Sequence, residues 1–440
     1  MKLTYQRWAG LAALLALLTL AGCRSATATT KQPSTKSTLT AMVISDDHVI
    51  APSLHDNGTA FKTYAANDAG ADLKYSATIF KAFIAQALTT KPDMVIVSGD
   101  ITNNGEKASH EYVAQQLKRL TAQHIRVYVV PGNHDINNPL TRSFKGKHQA
   151  TTSAVSPSQF KQIYQQAGYG QAVEKDTSSL SYLVKPGQHT WLLMLDSAIY
   201  KSNYQQGSST VGGGFTAGTL DWIAKMGRAA KKAHATLIPV MHHNLMDHTS
   251  IHQDYTIGYA DDVRDTFSKA NLRLTLSGHI HAQSIKHQTV NQVQLTDIAS
   301  GALIMSPHYY GTLTINQNSG QAQYHATRLN VSAYIKKQQG AKAAAAYRQY
   351  DHAVVYDAGY NAAMSSLYED RYETKYSTAK IKLLSTGMAQ ANLAMFRGTA
   401  PAQTEAIKAW QAMPKNTPLR HFILQTEALK NNLDWHGRTR

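Results

Sequence analysis

The chain has a single cysteine in 440 residues, Cys23, so no internal disulfide can form and no thiolate cluster can build a zinc-finger type of site. It has no block of Lys or Arg, although these residues (44) outnumber Asp and Glu (28) and leave a formal net charge of +16. Scattered basic charge of this kind suits an anionic surface or a phosphate-bearing small molecule; without a concentrated stripe, no specific nucleic acid is expected as a partner. Nowhere does an apolar run reach the ~20 residues of a spanning helix. The chain also lacks any internal repeat, and nothing in it specifies an oligomeric state.

What is present begins with a leader. Lys2 and Arg7 flank an apolar run of Leu, Ala and Thr at 11–20, and Leu20-Ala21-Gly22-Cys23 follows as a lipobox. Residues 1–22 are therefore expected to be a lipoprotein signal peptide, with Cys23 as the lipidated first residue of a bacterial lipoprotein. The segment after it, RSATATTKQPSTKS at 24–37, has almost nothing apolar to bury, so 23–37 is expected to be a flexible tether. The mature protein is thus expected outside the cytoplasm, held to the cell membrane by its lipid.

About 400 residues remain, more than one typical domain. Short β-branched or Leu-rich runs at 42–45, 94–98, 127–130, 191–195, 237–241 and 272–277 alternate with helical stretches such as 77–88, 111–120 and 220–233. The alternation predicts α/β layering over 38–330, closed by a hairpin across 303–328 with its turn at Asn-Gln-Asn-Ser-Gly. From Val331 the composition turns to Ala, Lys, Gln and Tyr, which predicts a small helical C-terminal domain over 331–440, with breaks at Pro401, Pro414 and Pro418.

Five of these six runs end in residue types that bind metals. Asp46-Asp47-His48 follows the first, Gly99-Asp100 the second and Gly132-Asn133-His134-Asp135 the third; Met241-His242-His243-Asn244 and Gly278-His279-Ile280-His281 follow later ones. Ligands in open α/β sheets gather outside the carboxyl ends of strands, so these distant clusters are expected at one rim. Carboxylate, imidazole and amide oxygen together suit first-row divalent ions: two of Mn, Fe or Zn.

The ordered set Asp46-x-His48, Gly99-Asp100, Gly132-Asn133-His134-Asp135, His242 and Gly278-His279-x-His281 resembles the signature of the calcineurin-like metallophosphoesterase superfamily. The strings SGDITNNGE and VPGNHD resemble the bacterial class III cyclic-nucleotide phosphodiesterases within it, several of which carry a helical C-terminal extension. The resemblance implies a four-layer α/β/β/α sandwich and two divalent metal ions, one held by Asp46, His48, Asp100 and His281, the other by Asp100, Asn133, His242 and His279. It implies Asp100 as the bridge, its two oxygens serving two ions; a water activated between them would attack phosphorus. His134 would stay outside the metal shell as the catalytic group at the transition state or leaving oxygen, with Asp135 orienting it. The choice of His242 over His243 follows the family pattern, and strand alternation allows only one of the two to reach a metal.

Other residues have plainer readings. Asp47 is expected to point away, solvated or hydrogen-bonded. Asn103, Asn104 and Gly105 form a turn that either lines a substrate pocket or is simply a loop. Asp196-Ser197 is expected to be structural, Tyr309-Tyr310 and the later tyrosines to pack, and His110, His124, His234, His325 and His421 to be ordinary surface or core residues. The implied function is hydrolysis of a small phosphate ester, with a phosphodiester such as a 3′,5′-cyclic nucleotide ahead of a phosphomonoester. A non-catalytic binding lipoprotein is disfavoured, because no member of the ligand set is missing.

Overall fold

A computed structural model describes residues 32–67, 70–249, 253–417, 419–430 and 432–440. The leader and Cys23 lie outside the described residues, and among those described no helix is long and apolar enough to cross a membrane. The first strand, β1 (Thr38–Ile44), pairs in parallel with β2 (Met94–Ser98), which pairs in parallel with β3 (Arg126–Val130). A small hairpin, β4 (Ser143–Lys145) and β5 (His148–Ala150), stands apart. Next come β6 (Glu174–Lys175), β7 (Tyr182–Val184), β8 (Thr190–Met194), β9 (Thr236–Val240), β10 (Leu274–Ser277), β11 (Ser284–Val290) and β12 (Val293–Ala299). They build a seven-stranded sheet in the order β11-β12-β10-β9-β8-β7-β6. β13 (Tyr309–Asn316), β14 (Gln321–Arg328) and β15 (Asp434–Arg438) return to the first sheet, giving β15-β14-β13-β1-β2-β3.

Side-chain alternation along the strands makes the layers. On β8, Leu192 and Met194 join Ile238, Val240, Leu274 and Leu276 in the large core shared with β1, β2 and β3. Trp191 and Leu193 point the other way, onto Trp222, Ile223 and Met226 of helix Ala217–Lys232 and Phe267 of helix Ala260–Lys269. Helices Ser76–Thr90 and Lys107–Thr121 add Phe80, Phe83, Val113 and Leu117 to the large core. All five residues of β2 are buried, as a strand covered on both faces requires. The result is the α/β/β/α sandwich expected from the sequence.

Two boundaries differ from expectation. Residues 34–37, placed in the tether, lie against the body: Ser34 donates its N–H to the Pro186 carbonyl at 2.9 Å, and Gln317 donates its N–H to the Ser37 carbonyl at 2.8 Å. Paired backbone of this kind cannot be read from Ser/Thr/Lys composition. The segment expected to be helical from 331 to 440 ends in a strand, β15, whose Trp435 is paired with Tyr324 of β14. Alternation over only five residues, with Gly437 among them, is too short a signal to outweigh the helical stretch before it.

The helices in between have their own core around Trp410, Leu384, Ile407 and Leu367. The long helix Ala341–Glu369 belongs to both cores, since its first half buries Ala344, Tyr347 and Val355 with the sandwich.

One hydroxyl joins the two sheets: that of Tyr182 on β7 donates to the Val129 carbonyl at 2.7 Å and accepts from the Val129 N–H at 3.2 Å. Tyr182→Phe leaves those groups on β3 buried with one partner fewer, and urea denaturation is expected to show a loss of about 1–2 kcal/mol.

Candidate metal centre

The carboxyl ends of β1, β2, β3, β9 and β10 meet at one edge, and the backbone there is bent to a degree that a regular strand is not. Asp46, His48, Asp100, His279 and His281 all have φ in the left-handed region, between 40° and 70°. Each such residue costs of the order of 1–3 kcal/mol unless its surroundings hold it, and the clustering of five is a mark of a functional site. Gly132 permits the approach of the Asp100 carboxylate, since a Cβ there would collide with it; Gly99, at φ 96°, likewise makes room for the His242 ring. The loops are stitched together by backbone bonds, from Asp46 N–H to the Gly99 carbonyl, His48 N–H to the Asp100 carbonyl and Gly278 N–H to the His242 carbonyl.

Two groups of ligand atoms result. Asp46, His48, Asp100 and His281 place one donor atom each within 4.8 Å of one another, and so do Asp100, His242 and His279. Asn133 completes the second group, its Oδ1 3.1 Å from His242 Nε2. Asp100 belongs to both, but through one oxygen rather than two. Its Oδ1 accepts the His134 N–H at 2.9 Å, while Oδ2 lies 3.8 Å from His48 Nε2 and 3.1 Å from His242 Nε2.

The ring nitrogens are oriented by their far sides. His242 Nδ1 lies 3.0 Å from the Ser98 carbonyl and His279 Nε2 lies 3.0 Å from the Asp254 carbonyl. A carbonyl only accepts, so those nitrogens carry the protons, and His242 Nε2 and His279 Nδ1 are left to bind. His243 points elsewhere: its ring bonds the Ser197 hydroxyl and the Val211 carbonyl, both at 2.9 Å. The structure thus brings His242, and not His243, to the other ligands.

This donor set fits divalent cations. His48 and His281 bring their Nε2 atoms within 3.2 Å of each other, close enough for one cation to take a lone pair from each. Burial opposes the charge on Asp46, but His281 outweighs it and holds that carboxyl at about 2. Asp100 lies well below the usual carboxylate range, burial being overcome by His242, His134 and His48. Burial pushes His48 down to about 3, and burial with His243 and His242 pushes His279 well down. Ionised carboxylates beside neutral imidazoles are the protonation states that a metal requires. His242 is the exception, because Asp100 overcomes burial and raises it to about 9.

Two expectations need correction. Asp135 does not orient His134. Its carboxylate accepts the N–H groups of Gly132 (2.8 Å), Ile101 (3.1 Å) and Thr102 (3.0 Å), tying the loops after β2 and β3 together. His134 is instead held by the Asn103 carbonyl, 2.7 Å from its Nδ1, a backbone group that sequence patterns do not display. Asp47 is neither solvated nor hydrogen-bonded: both its oxygens are buried without a partner, and burial, with Asp46, Asp135 and Asp100 nearby, raises its carboxyl well above the usual range. The left-handed turns at Asp46 and His48 carry it inward.

The remaining candidates fall where ordinary packing puts them. His110 is buried beneath the site, bonded to the Asp135 carbonyl and the Tyr164 hydroxyl, both at 2.9 Å, while His124, His234, His325 and His421 are exposed. Asp196 accepts from Leu180 N–H and Tyr200 O–H, and Ser197 holds His243. Tyr310 packs on Phe83. Asn103 and Asn104 both donate side-chain amides to the Tyr64 hydroxyl, at 2.8 and 2.9 Å. The sequence reading missed Tyr64 and also Tyr255, whose ring lies 5.2 Å from that of His279; neither belongs to a motif.

Comparison with known proteins follows the same lines. A family model described as calcineurin-like phosphoesterase matches residues 39–283. A Psychrobacter arcticus protein named as a probable cyclic nucleotide phosphodiesterase is 26% identical over 211 residues, which cover 47% of this chain and 64% of that protein. An Arcobacter nitrofigilis protein named as a probable glycerophosphodiester phosphodiesterase is 41% identical over 58 residues, 13% of this chain and 20% of that one. The matches therefore span less than two thirds of either relative. The crystal structure of a dimetal phosphatase from Danio rerio aligns over 66% of this chain and 96% of its own, at 13% identity and a TM-score of 0.47.

The raised His242 yields a test. Metal must displace its proton, so affinity is expected to climb about tenfold per pH unit below about pH 9. Titration calorimetry in buffers of different ionisation enthalpy should record proton release. His242→Ala should abolish that release and weaken one metal, while His243→Ala should leave the slope with pH unchanged.

Proposed function

The chain belongs to the calcineurin-like phosphoesterase family, and from that premise we propose that it is a metal-dependent phosphodiesterase acting outside the cytoplasm. The observation that carries this reading is Asp100 Oδ2, placed between two ligand groups that share it. Two divalent ions bound there would supply Lewis acidity at the phosphate oxygens and a water activated near neutral pH. Asp46, His48 and His281 would hold one, and Asn133, His242 and His279 the other.

The protein's own groups do the rest. His134, fixed by the Asn103 carbonyl at Nδ1, keeps Nε2 for the leaving oxygen, and its ring stands 4.9 Å from that of His48, at the edge of the centre. As the P–O bond to the leaving alcohol breaks, the imidazolium form of His134 gives its Nε2 proton to the alkoxide, while the attacking water loses one proton to solvent and its oxygen becomes part of the monoester product. The Asp135 carboxylate keeps the loops that present Asp100, Asn133 and His134 in register. Such a site preorganises charge where the transition state develops it.

The diester preference rests on the names of the two relatives, both diesterases, and a 3′,5′-cyclic nucleotide is the substrate class put forward first. The address rests on the lipobox at Cys23. On the outer face, extracellular nucleotides or diester groups of wall polymers are the accessible forms of that chemistry.

Hydrolysis of bis-p-nitrophenyl phosphate, p-nitrophenyl phosphate and 3′,5′-cyclic AMP by metal-stripped protein with Mn²⁺ restored tests the reading. Diester turnover is expected to exceed monoester turnover. Asp100→Asn should lower kcat by about a thousandfold or more, the equivalent of several kcal/mol of transition-state stabilisation. His134→Ala should lower kcat about 10²–10⁴-fold with both metals retained. Faster monoester turnover would reassign the enzyme as a phosphomonoesterase, and no turnover by folded, metal-loaded protein would sink the catalytic reading. For the address, Cys23→Ser is expected to move the protein from the membrane fraction to the medium.

A further inference from the structure

A third set of ligand-type side chains lies apart from the metal centre, where the long C-terminal helix meets the sandwich. Asp72, His308 and Asp351 place one donor atom each within 4.8 Å of one another, and all three are buried. They come from three distant segments: the turn before helix Ser76–Thr90, the loop between β12 and β13, and helix Ala341–Glu369. Tyr347, one turn before Asp351 on the same helix face, adds a hydroxyl 2.8 Å from His308 Nε2.

The hydrogen bonds around this set leave a charge unaccounted for. His308 Nδ1 lies 2.8 Å from the Leu303 carbonyl, so that nitrogen carries the proton. His308 Nε2 then faces Asp351 Oδ1 at 2.9 Å. A lone pair cannot face a carboxylate at that distance without a positive centre between them. A second proton on the ring would satisfy this contact, but two buried carboxylates would then share one imidazolium. It would leave Asp72, whose Oδ1 accepts the Tyr75 N–H at 3.2 Å and whose Oδ2 is buried without a partner. A buried carboxylate oxygen without a partner is destabilising.

We propose that Asp72, His308 and Asp351, with the Tyr347 hydroxyl, form a structural site for a third divalent cation. A dication neutralises two carboxylates around a neutral imidazole, takes the His308 Nε2 lone pair and supplies the partner that Asp72 Oδ2 lacks. One nitrogen and two or three oxygens suit Zn²⁺ or Mn²⁺, and the neighbouring carbonyl at Nδ1 is the usual support of a ligating histidine. A cavity of about 500 Å³ beside His308, Tyr347 and Asp351 gives the ion a way in. Arg328 stands 3.8 Å from the other oxygen of Asp351, which leaves Oδ1 for the ion.

The site ties the helical region to the catalytic edge. Leu303, whose carbonyl holds His308, donates its own N–H to Ser45 at 2.9 Å; Ile304 donates to the Asp46 carbonyl at 3.3 Å and accepts from Asp72 N–H at 3.1 Å. The third ion thus fastens the loop that supports the first metal-binding strand end.

Metal content per chain, measured after loading with Zn²⁺ and extensive dialysis, is the test, with anomalous scattering at the zinc edge to locate each ion. Wild-type protein is expected to hold three equivalents, Asp351→Asn and His308→Gln two, and Asp100→Asn to keep the ion at Asp351 whatever happens at the other centre. The proposal is overturned if wild-type protein holds no more than two equivalents, or if no anomalous peak lies among Asp72, His308 and Asp351; His308 then carries a second proton. Neither result depends on hydrolysis, so a failure of the phosphodiesterase reading would be seen separately.

Discussion

Everything at the edge of this sandwich answers to one constraint: ionised carboxylates and neutral imidazoles are packed together where water is excluded. Asp46 and Asp100, held ionised, and His48 and His279, held neutral, are all buried, and such a group is stable only around positive charge. Asp100 concentrates the demand, because one oxygen serves both halves of the site while the other is taken by a backbone N–H. The left-handed backbone at Asp46, His48, Asp100, His279 and His281 follows from it. A regular strand end would point successive side chains apart, whereas these must converge.

Around that centre lies a layer of groups whose work is geometric. Asp135 gathers three backbone N–H groups from two loops, and His110 and Tyr164 continue the network inward. His243 and Ser197 brace the far side, so adjacent histidines in the sequence are differently placed: His242 joins the ligand-type cluster and His243 holds the strand end. Bonds of this kind are short, buried and mutually dependent, which is how a few kilocalories per mole of backbone strain at each position can persist.

The C-terminal segment is part of the same construction. Its long helix enters the sandwich core with Tyr347 and Val355, its last strand extends the first sheet, and Asp351 reaches the loop that supports Asp46. A helical cap merely resting on the domain would need none of these. Their presence makes the helices a brace for the catalytic edge, and loosening them should be felt at the metals.

The sequence by itself determined the α/β layering and the strand ends that carry ligand-type side chains. Each is encoded locally, as an apolar run followed within a few residues by Asp, Asn or His, and local order survives in a linear string. Tertiary structure alone decided which oxygen of Asp100 faces both ligand groups, that Asn103 rather than Asp135 holds His134, that Asp47 is buried, and that the final residues form a strand. It alone assembled Asp72, His308 and Asp351, the last two 43 residues apart and none in a motif. Those outcomes depend on backbone carbonyls and N–H groups, which every residue carries alike, and on contacts between segments that only packing brings together.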